Sequence, residues 1–149
     1  MTLVRHGLAY SGAASQLRGS LPRGLTRAHL VLLEGAGEEE FSRWVKSRAR
    51  YHNWNGVHVR YSHGVVESVH TLALDGFSEA YGVPDWLFWH EGLGQAFLAE
   101  LKGAHGYQSR HQKREIPSLR KGGLCVFVWR PRDAVTIEHI FQYGLEVAQ

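Results

Sequence analysis

Apolar residues recur at helical spacing soon after the start of the chain. Phe41 and Val45 are four residues apart, and basic side chains stand between the apolar positions that follow. Because residues three or four apart share one face of a helix, this pattern predicts an amphipathic helix over residues 38–51. Residues 1–37 mix glycine, serine, alanine and arginine without a sustained period. They are predicted to form a basic N-terminal arm, which leaves 38–149 as the domain.

Two aromatic-rich apolar runs of strand length come later in the chain. They read VPDWLFWH and AFLAELK, and the segment EGLGQ between them carries two glycines. This arrangement predicts a β-hairpin. If the hairpin closes symmetrically about Gly92 and Leu93, Asp85 lies opposite Glu100. Lys102 follows Glu100 by two residues, so its side chain is expected on the same face.

The remaining pattern completes an α/β order of helix, three strands, helix, strand and helix. VHVRY alternates as a short strand, and SRHQ has the form of a capping box that opens a basic helix ending at Lys121. Pro117 is expected to kink or divide that helix. LCVFVWR predicts a buried strand, and Asp133 is expected to cap a final helix. The inward positions of that final helix are Val135, Ile137, Ile140 and Phe141.

The hairpin carries charge where burial is expected. Apolar residues occupy both faces of the two runs, so both faces of the hairpin are predicted to be buried. Two facing carboxylates in such a place repel each other and cost several kcal/mol unless a cation lies between them. Lys102 could neutralise Asp85 and Glu100 as a structural ion pair. Alternatively, the acids hold Mg²⁺ or Mn²⁺, and the cluster then suits hydrolysis of a phosphodiester.

Composition bounds the remaining possibilities. The chain has 149 residues, of which 44% are hydrophobic, enough for one ordinary core. Its one cysteine, Cys125, excludes an intrachain disulfide and a cysteine-based zinc cluster. No apolar run approaches a signal sequence or a membrane span, so a soluble intracellular protein without a membrane partner is expected.

The motifs around the hairpin resemble a nuclease family. Pro84–Asp85 matches PD, and Glu100–Leu101–Lys102 matches ExK. Together with GVPDWLFW, FLAELKGAHGYQSRHQ and GGLCVFVWRPRD, they resemble the virus-type replication-repair nuclease (VRR-NUC) branch of the PD-(D/E)xK nucleases over about residues 38–143. The resemblance implies a restriction-endonuclease-like core of helix, three strands, helix and strand, followed here by a C-terminal helix.

The resemblance also implies an active site and a substrate. The implied catalytic residues are Glu38, Asp85, Glu100, Lys102 and Gln112, and the implied ligands of Mg²⁺ or Mn²⁺ are Glu38, Asp85, Glu100 and Leu101. Helical geometry favours Glu38 over its acidic neighbours because it shares the inward face with Phe41. The capping box alone would also account for Gln112. The implied activity is a DNA endonuclease, structure-specific for branched DNA such as a Holliday junction, acting as a homodimer.

A basic stretch follows the predicted site. Its cations are predicted to hold DNA phosphates without reading sequence; they are Arg110, Lys113, Arg114, Arg120 and Lys121. Further arginines in the N-terminal arm could add phosphate contacts; they are Arg5, Arg18, Arg23 and Arg27.

Three other functions stay open. The fold could serve as a DNA-binding module without cleavage. LVRHG at residues 3–7 resembles the opening motif of histidine phosphatases, and YSHGVV at 61–66 faintly resembles their second histidine motif. A histidine-based metal nuclease would use His52, Asn53 and His58.

The stretch 62–82 is longer than the family pattern predicts, and its histidines, His63 and His70, are expected at the surface.

Overall fold

The structure, a computed structural model, describes residues 21–58, 61–62, 65–66 and 82–148. This part is a mixed α/β structure with a four-stranded mixed sheet. Its α-helices are α1 (Arg27–Leu33), α2 (Glu38–Tyr51), α3 (Arg110–Lys121) and α4 (Ala134–Tyr143). Its strands are β1 (Asn55–His58), β2 (Tyr61–Ser62), β3 (Val65–Val66), β4 (Trp86–His90), β5 (Gln95–Leu101) and β6 (Val126–Trp129). None of the described helices is long and apolar enough to cross a membrane.

The main sheet has the strand order β1-β4-β5-β6. β1, β4 and β5 are antiparallel neighbours, whereas β5 and β6 run parallel because α3 connects them. β2 and β3 form a separate two-stranded pair. The β4–β5 register runs from Trp86 opposite Ala99 to His90 opposite Gln95, so the predicted hairpin register is confirmed. The predicted bounds of α2 and α3 are confirmed as well.

The core lies between the sheet and two helices, α2 and α4. Aromatic rings from the sheet, such as Phe88 and Phe97, contact Phe141 of α4 at centroid distances of 5.4 and 6.3 Å. Phe41 and Val45 of α2 are fully buried beside them. Burial of each such side chain contributes about 1.5–3 kcal/mol, so this face supplies most of the apolar stabilisation.

The opposite face of the sheet is only partly covered, which corrects the prediction that both faces are buried. Strand alternation places Glu100 and Val126 on this face, where α3 contributes the buried Ile116. Leu87 and Ala96, nearer the hairpin turn, are exposed in the described part of the chain. One helix of 12 residues spans only about 18 Å and covers the side of the sheet near β6.

The predicted arm is partly built into the core. In the described portion of residues 1–37, Thr26 caps α1 by accepting a hydrogen bond from the backbone N–H of His29. Leu33 and Ala36 are buried in the main core. α1 thus lies in a stretch where the sequence shows no sustained period, because a helix of two turns is too short to show one. Residues 1–20, with Arg5, Arg18 and the LVRHG segment, lie outside the described residues, as do His63 and His70.

Two local predictions also need correction. Pro117 does not divide α3, which runs unbroken from Arg110 to Lys121. Pro117 is exposed, so water can satisfy the backbone carbonyl that loses its partner. Asp133 stands at the start of α4, but its side chain does not cap that helix. Its carboxylate accepts a hydrogen bond from the backbone N–H of Arg130 at 2.8 Å instead.

Candidate active site

The carboxylates predicted on the hairpin lie together at one end of the sheet. Asp85 immediately precedes β4, while Glu100 lies near the end of β5. The backbone N–H of Asp85 donates to Glu100 Oε2 at 3.3 Å. Lys102 Nζ lies 2.7 Å from Glu100 Oε1. The structure therefore brings together the three charged residues of the PD and ExK motifs, Asp85, Glu100 and Lys102.

Negative charge is held here at a cost in free energy. Glu100 is fully buried, and the side chain of Asp85 is largely buried. Burial, followed by the charge of Glu100, raises the pKa of Asp85 to about 7; Lys102 lowers this pKa, and Glu38 raises it further. Lys102 thus compensates only part of the like-charge repulsion. A second cation would lower the pKa of Asp85 and stabilise the ionised pair.

The oxygen atoms present fit a hard divalent cation. Glu100 Oε1 accepts no hydrogen bond of good geometry in the described structure, although Lys102 stands beside it. The position across from Leu101 in the hairpin register is Pro84, whose nitrogen carries no hydrogen. β4 therefore offers the Leu101 carbonyl no backbone donor. Carboxylate and carbonyl oxygens are the ligands that Mg²⁺ prefers.

The described residues hold no group of three or more histidine, cysteine, aspartate or glutamate side chains close enough to bind a metal ion. Asp85 and Glu100 with the Leu101 carbonyl would be the protein's share of such a site. Water would complete it, because Mg²⁺ keeps several of its waters when bound to proteins.

Glu38 lies at the rim of this cluster. It begins α2, and Gly103 lies so close to it that an added Cβ would stand 2.8 Å from the Glu38 backbone nitrogen. This approach explains how its charge acts on Asp85. The prediction of an inward-facing Glu38 is corrected, since the residue is exposed to solvent. Its neighbour Glu39 instead pairs with Arg43 at 3.5 Å on the exposed surface.

Gln112 is buried at the start of α3 next to the PD motif. Gly82 has φ +80°, and an added Cβ there would lie 2.5 Å from the carbonyl carbon of His111, so only glycine allows this approach. Gln112 completes the predicted capping box: its Oε1 accepts from the Ser109 N–H at 2.9 Å, and its own N–H donates to Ser109 Oγ. The cap accounts for its buried position, and a role beside the carboxylates stays a prediction.

His58 adjoins the site and was not predicted to belong to it. β1 pairs with β4 so that His58 lies opposite Trp86, and the two rings stack at 4.4 Å. His58 Nε2 lies 4.0 Å from Asp85 Oδ2. The sequence predicts the strand VHVRY but does not indicate which strand it pairs with. His58 could be assigned to the site only once the pairing of β1 with β4 was known.

The predicted basic patch divides into two ends of α3. Arg110, Lys113 and Arg114 are exposed on the first turns, near Gly82 and the PD motif. Arg120 lies at the other end, where its Nε and Nη2 both donate to the Val126 carbonyl at 3.0 and 2.9 Å. That structural contact accounts for Arg120 without any DNA. Lys121 is exposed at the same distant end.

Comparisons of the chain with protein-family models, with curated proteins and with solved structures found no match.

Proposed function

We propose that this protein is a Mg²⁺- or Mn²⁺-dependent DNA nuclease that hydrolyses phosphodiester bonds. The observation that carries the proposal is the pair of carboxylates at the end of the sheet: Glu100 is fully buried, and its neighbour Asp85 has a pKa raised to about 7 although Lys102 lies 2.7 Å from Glu100. Folding alone would favour apolar residues at such positions, because uncompensated buried charge costs several kcal/mol. A site that gains its full charge balance only with a bound cation accounts for both features.

The side chains of the site have separable roles in this proposal. When bound, the divalent ion lowers the pKa of a water molecule and offsets the charge of the phosphate. Asp85, Glu100 and the Leu101 carbonyl bind that ion. Lys102 holds its ammonium 2.7 Å from Glu100, from where it can donate a hydrogen bond to the attacking water or to a phosphate oxygen. Glu38 adds negative charge at the solvent side.

The proposed fold is the restriction-endonuclease-like core of the VRR-NUC branch. Support comes from the order of helix, three sheet strands, helix and parallel strand, which agrees with the order that the resemblance implies. The proposed substrate is DNA, branched or duplex, because exposed cations on the first turns of α3 lie beside the PD motif. A homodimer is proposed as well, since two symmetric sites would cut both strands of a branched substrate.

A cleavage assay on branched, nicked and linear DNA tests this function. We expect cutting with Mg²⁺ or Mn²⁺ and none with EDTA. Glu100→Gln should abolish cutting, whereas Glu91→Gln, the same change at an exposed position in the hairpin turn, should leave it intact. DNA binding without cutting under any metal would contradict the nuclease and support a non-catalytic DNA-binding module.

A further inference from the structure

One tyrosine beside the proposed site is displayed almost completely to solvent. Tyr107 has 86% of its surface exposed, more than any other large apolar or aromatic residue in the described part of the chain. It makes no hydrogen bond and no ring contact with the described residues. By contrast, Tyr51 packs against His52 and receives the guanidinium of Arg48 over its ring. The ring of Tyr107 therefore contributes little to the core.

The loop that carries Tyr107 is nevertheless tied to the fold. The backbone N–H of Ala104 donates to the Ala36 carbonyl at 3.0 Å, and that of Gly106 donates to the Gly103 carbonyl at 3.1 Å. Arg130 Nη1 donates to the carbonyl oxygens of both Gly103 and Gly106. These bonds connect the loop to the segment before α2 and to the end of β6. The position of the loop is thus set by the elements that also form the site.

Along the chain, Tyr107 also lies between the proposed catalytic lysine and the basic helix. Gly106 folds back so closely that an added Cβ would stand 3.4 Å from Lys102 Cβ. Tyr107 is the next residue, about 3.8 Å further along the chain. Two residues later Ser109 caps α3, whose first turns expose Arg110 and Lys113. A DNA strand bound at Lys102 and at these cations would therefore run beside the loop that displays Tyr107.

We propose that Tyr107 binds an unpaired nucleobase by stacking next to the phosphate that is cut, and so determines specificity for DNA with unpaired or branched segments. The proposal rests on the proposed nuclease function and names its substrate class. An exposed ring cannot reach the stacking face of a base inside a duplex, but it can stack on any base that has left the helix. Such stacking is tolerant of sequence, because every base has a π-face.

Fluorescence binding with 2-aminopurine tests the proposal directly. The probe base is placed unpaired at a branch point, and a second DNA carries it paired within a duplex of the same sequence. Binding is measured in the Glu100→Gln background so that the DNA is not cut. The variants are Tyr107→Ala, Tyr107→Phe and, as a matched exposed tyrosine, Tyr143→Ala. Tyr143 directly precedes Gly144, which lies against the side chain of Gln95 at the start of β5, about 20 Å from Lys102 along the strand.

We expect the unpaired probe to be quenched on binding. Tyr107→Ala should remove the quenching and weaken binding of the branched DNA about tenfold relative to the duplex. Tyr107→Phe should keep both effects, because stacking needs the ring and not the hydroxyl, and Tyr143→Ala should resemble the parent protein. An unchanged ratio in Tyr107→Ala, or an equal loss in Tyr107→Phe, would overturn the stacking role.

The two proposals fail in different ways. If the wild-type protein binds DNA but does not cut it with any divalent metal, the nuclease is wrong, and the quenching still decides the role of Tyr107. If the wild-type protein cuts branched DNA and Tyr107→Ala shows no selective loss, only the stacking role is wrong. If the wild-type protein binds no DNA, both are wrong.

Discussion

Asp85 and Glu100 place like charges in a buried position, and the consequences reach both chemistry and stability. The pKa of Asp85 is raised from 3.8 to about 7, chiefly by burial and then by Glu100. An acid whose pKa is higher in the folded state resists ionisation there. The folded state therefore loses stability as pH rises from the unfolded pKa, near 4, toward 7.

This shift predicts a pH-dependent difference between wild type and Asp85→Asn. With EDTA present, Asp85→Asn should be more stable than wild type at pH 8, by about 1–3 kcal/mol, because the repulsion is removed. The difference should be nearly gone at pH 4, because Asp85 is then protonated in the folded state and only about half ionised in the unfolded state. Urea unfolding at pH 4, 6 and 8 measures it. A wild-type protein that is as stable as the variant at pH 8 would contradict the strain assigned to this pair.

At the scale of elements, α2 and α4 are joined by a second buried acid, unrelated to the site. Glu138 of α4 is fully buried, and its carboxylate accepts hydrogen bonds from Arg48 and contacts His52 Nε2 at 2.7 Å, both on the α2 side. Burial by itself would raise the pKa of Glu138, but the hydrogen bonds from Arg48 and His52 outweigh it and hold this pKa below its usual value. Glu138 therefore stabilises the fold above its unfolded pKa.

Glu138→Gln should lower the free energy of unfolding by about 3–5 kcal/mol at pH 7, since Arg48 is left without its buried partner. The difference from wild type should shrink as pH falls below about 4.5, where the stabilisation by the ionised carboxylate is lost. Urea unfolding at pH 7 and at a pH below 4.5 measures this difference. Glu146→Gln, an exposed acid just after α4, is the control and should change stability little. A loss equal to that of the control would mean that the ion pair is dispensable.

The helix α3 carries a prediction about DNA affinity. Replacing Lys113 and Arg114 by alanine should flatten the slope of log K against log salt by about 1.8, because two phosphate contacts are lost. Binding should weaken evenly across sequences. Lys121→Ala, at the distant end of the same helix, is the matched control and should keep the wild-type slope. DNA-binding titrations between low and moderate salt measure the slope for each protein. An unchanged slope in the double variant would place the DNA path elsewhere.

At the scale of the whole molecule, the described features that suggest function gather at one end of the sheet. The carboxylates, Lys102, the loop of Tyr107 and the first turn of α3 lie at the end of β5, whereas Leu145 bonds Gln95 at its start. The described residues therefore present one candidate site per chain. If the protein cuts both strands of a branched substrate symmetrically, as proposed, two copies are needed.

Light scattering should therefore give twice the chain mass of 16.8 kDa, either for the free protein or on branched DNA. The measurement is repeated over a tenfold range of protein concentration, because a weak dimer dissociates on dilution. A monomer mass in both conditions would contradict the proposed homodimer and leave the nuclease proposal in place.

Local patterns in the sequence were sufficient for α2, α3, α4 and the hairpin. Their periods are carried by neighbouring residues, and the hairpin register follows from a turn of four residues, Glu91–Gly94. The sequence therefore determined by itself that Asp85, Glu100 and Lys102 would meet. It also determined the capping box of Ser109 and Gln112, since that motif spans only four residues.

Only the tertiary structure decided which surfaces are covered and which distant groups meet. The place of His58 beside Asp85 depends on the pairing of β1 with β4. These two residues are separated in the sequence by 26 positions, whose pattern does not indicate the pairing. Leu87 is exposed because α3 covers only part of its face, while Glu138 meets Arg48 because α2 and α4 pack on the same face. These outcomes depend on long-range packing, which leaves no period in the sequence. The exposure of Tyr107 has the same origin, because hydrogen bonds from Arg130 and to the Ala36 carbonyl set the path of its loop.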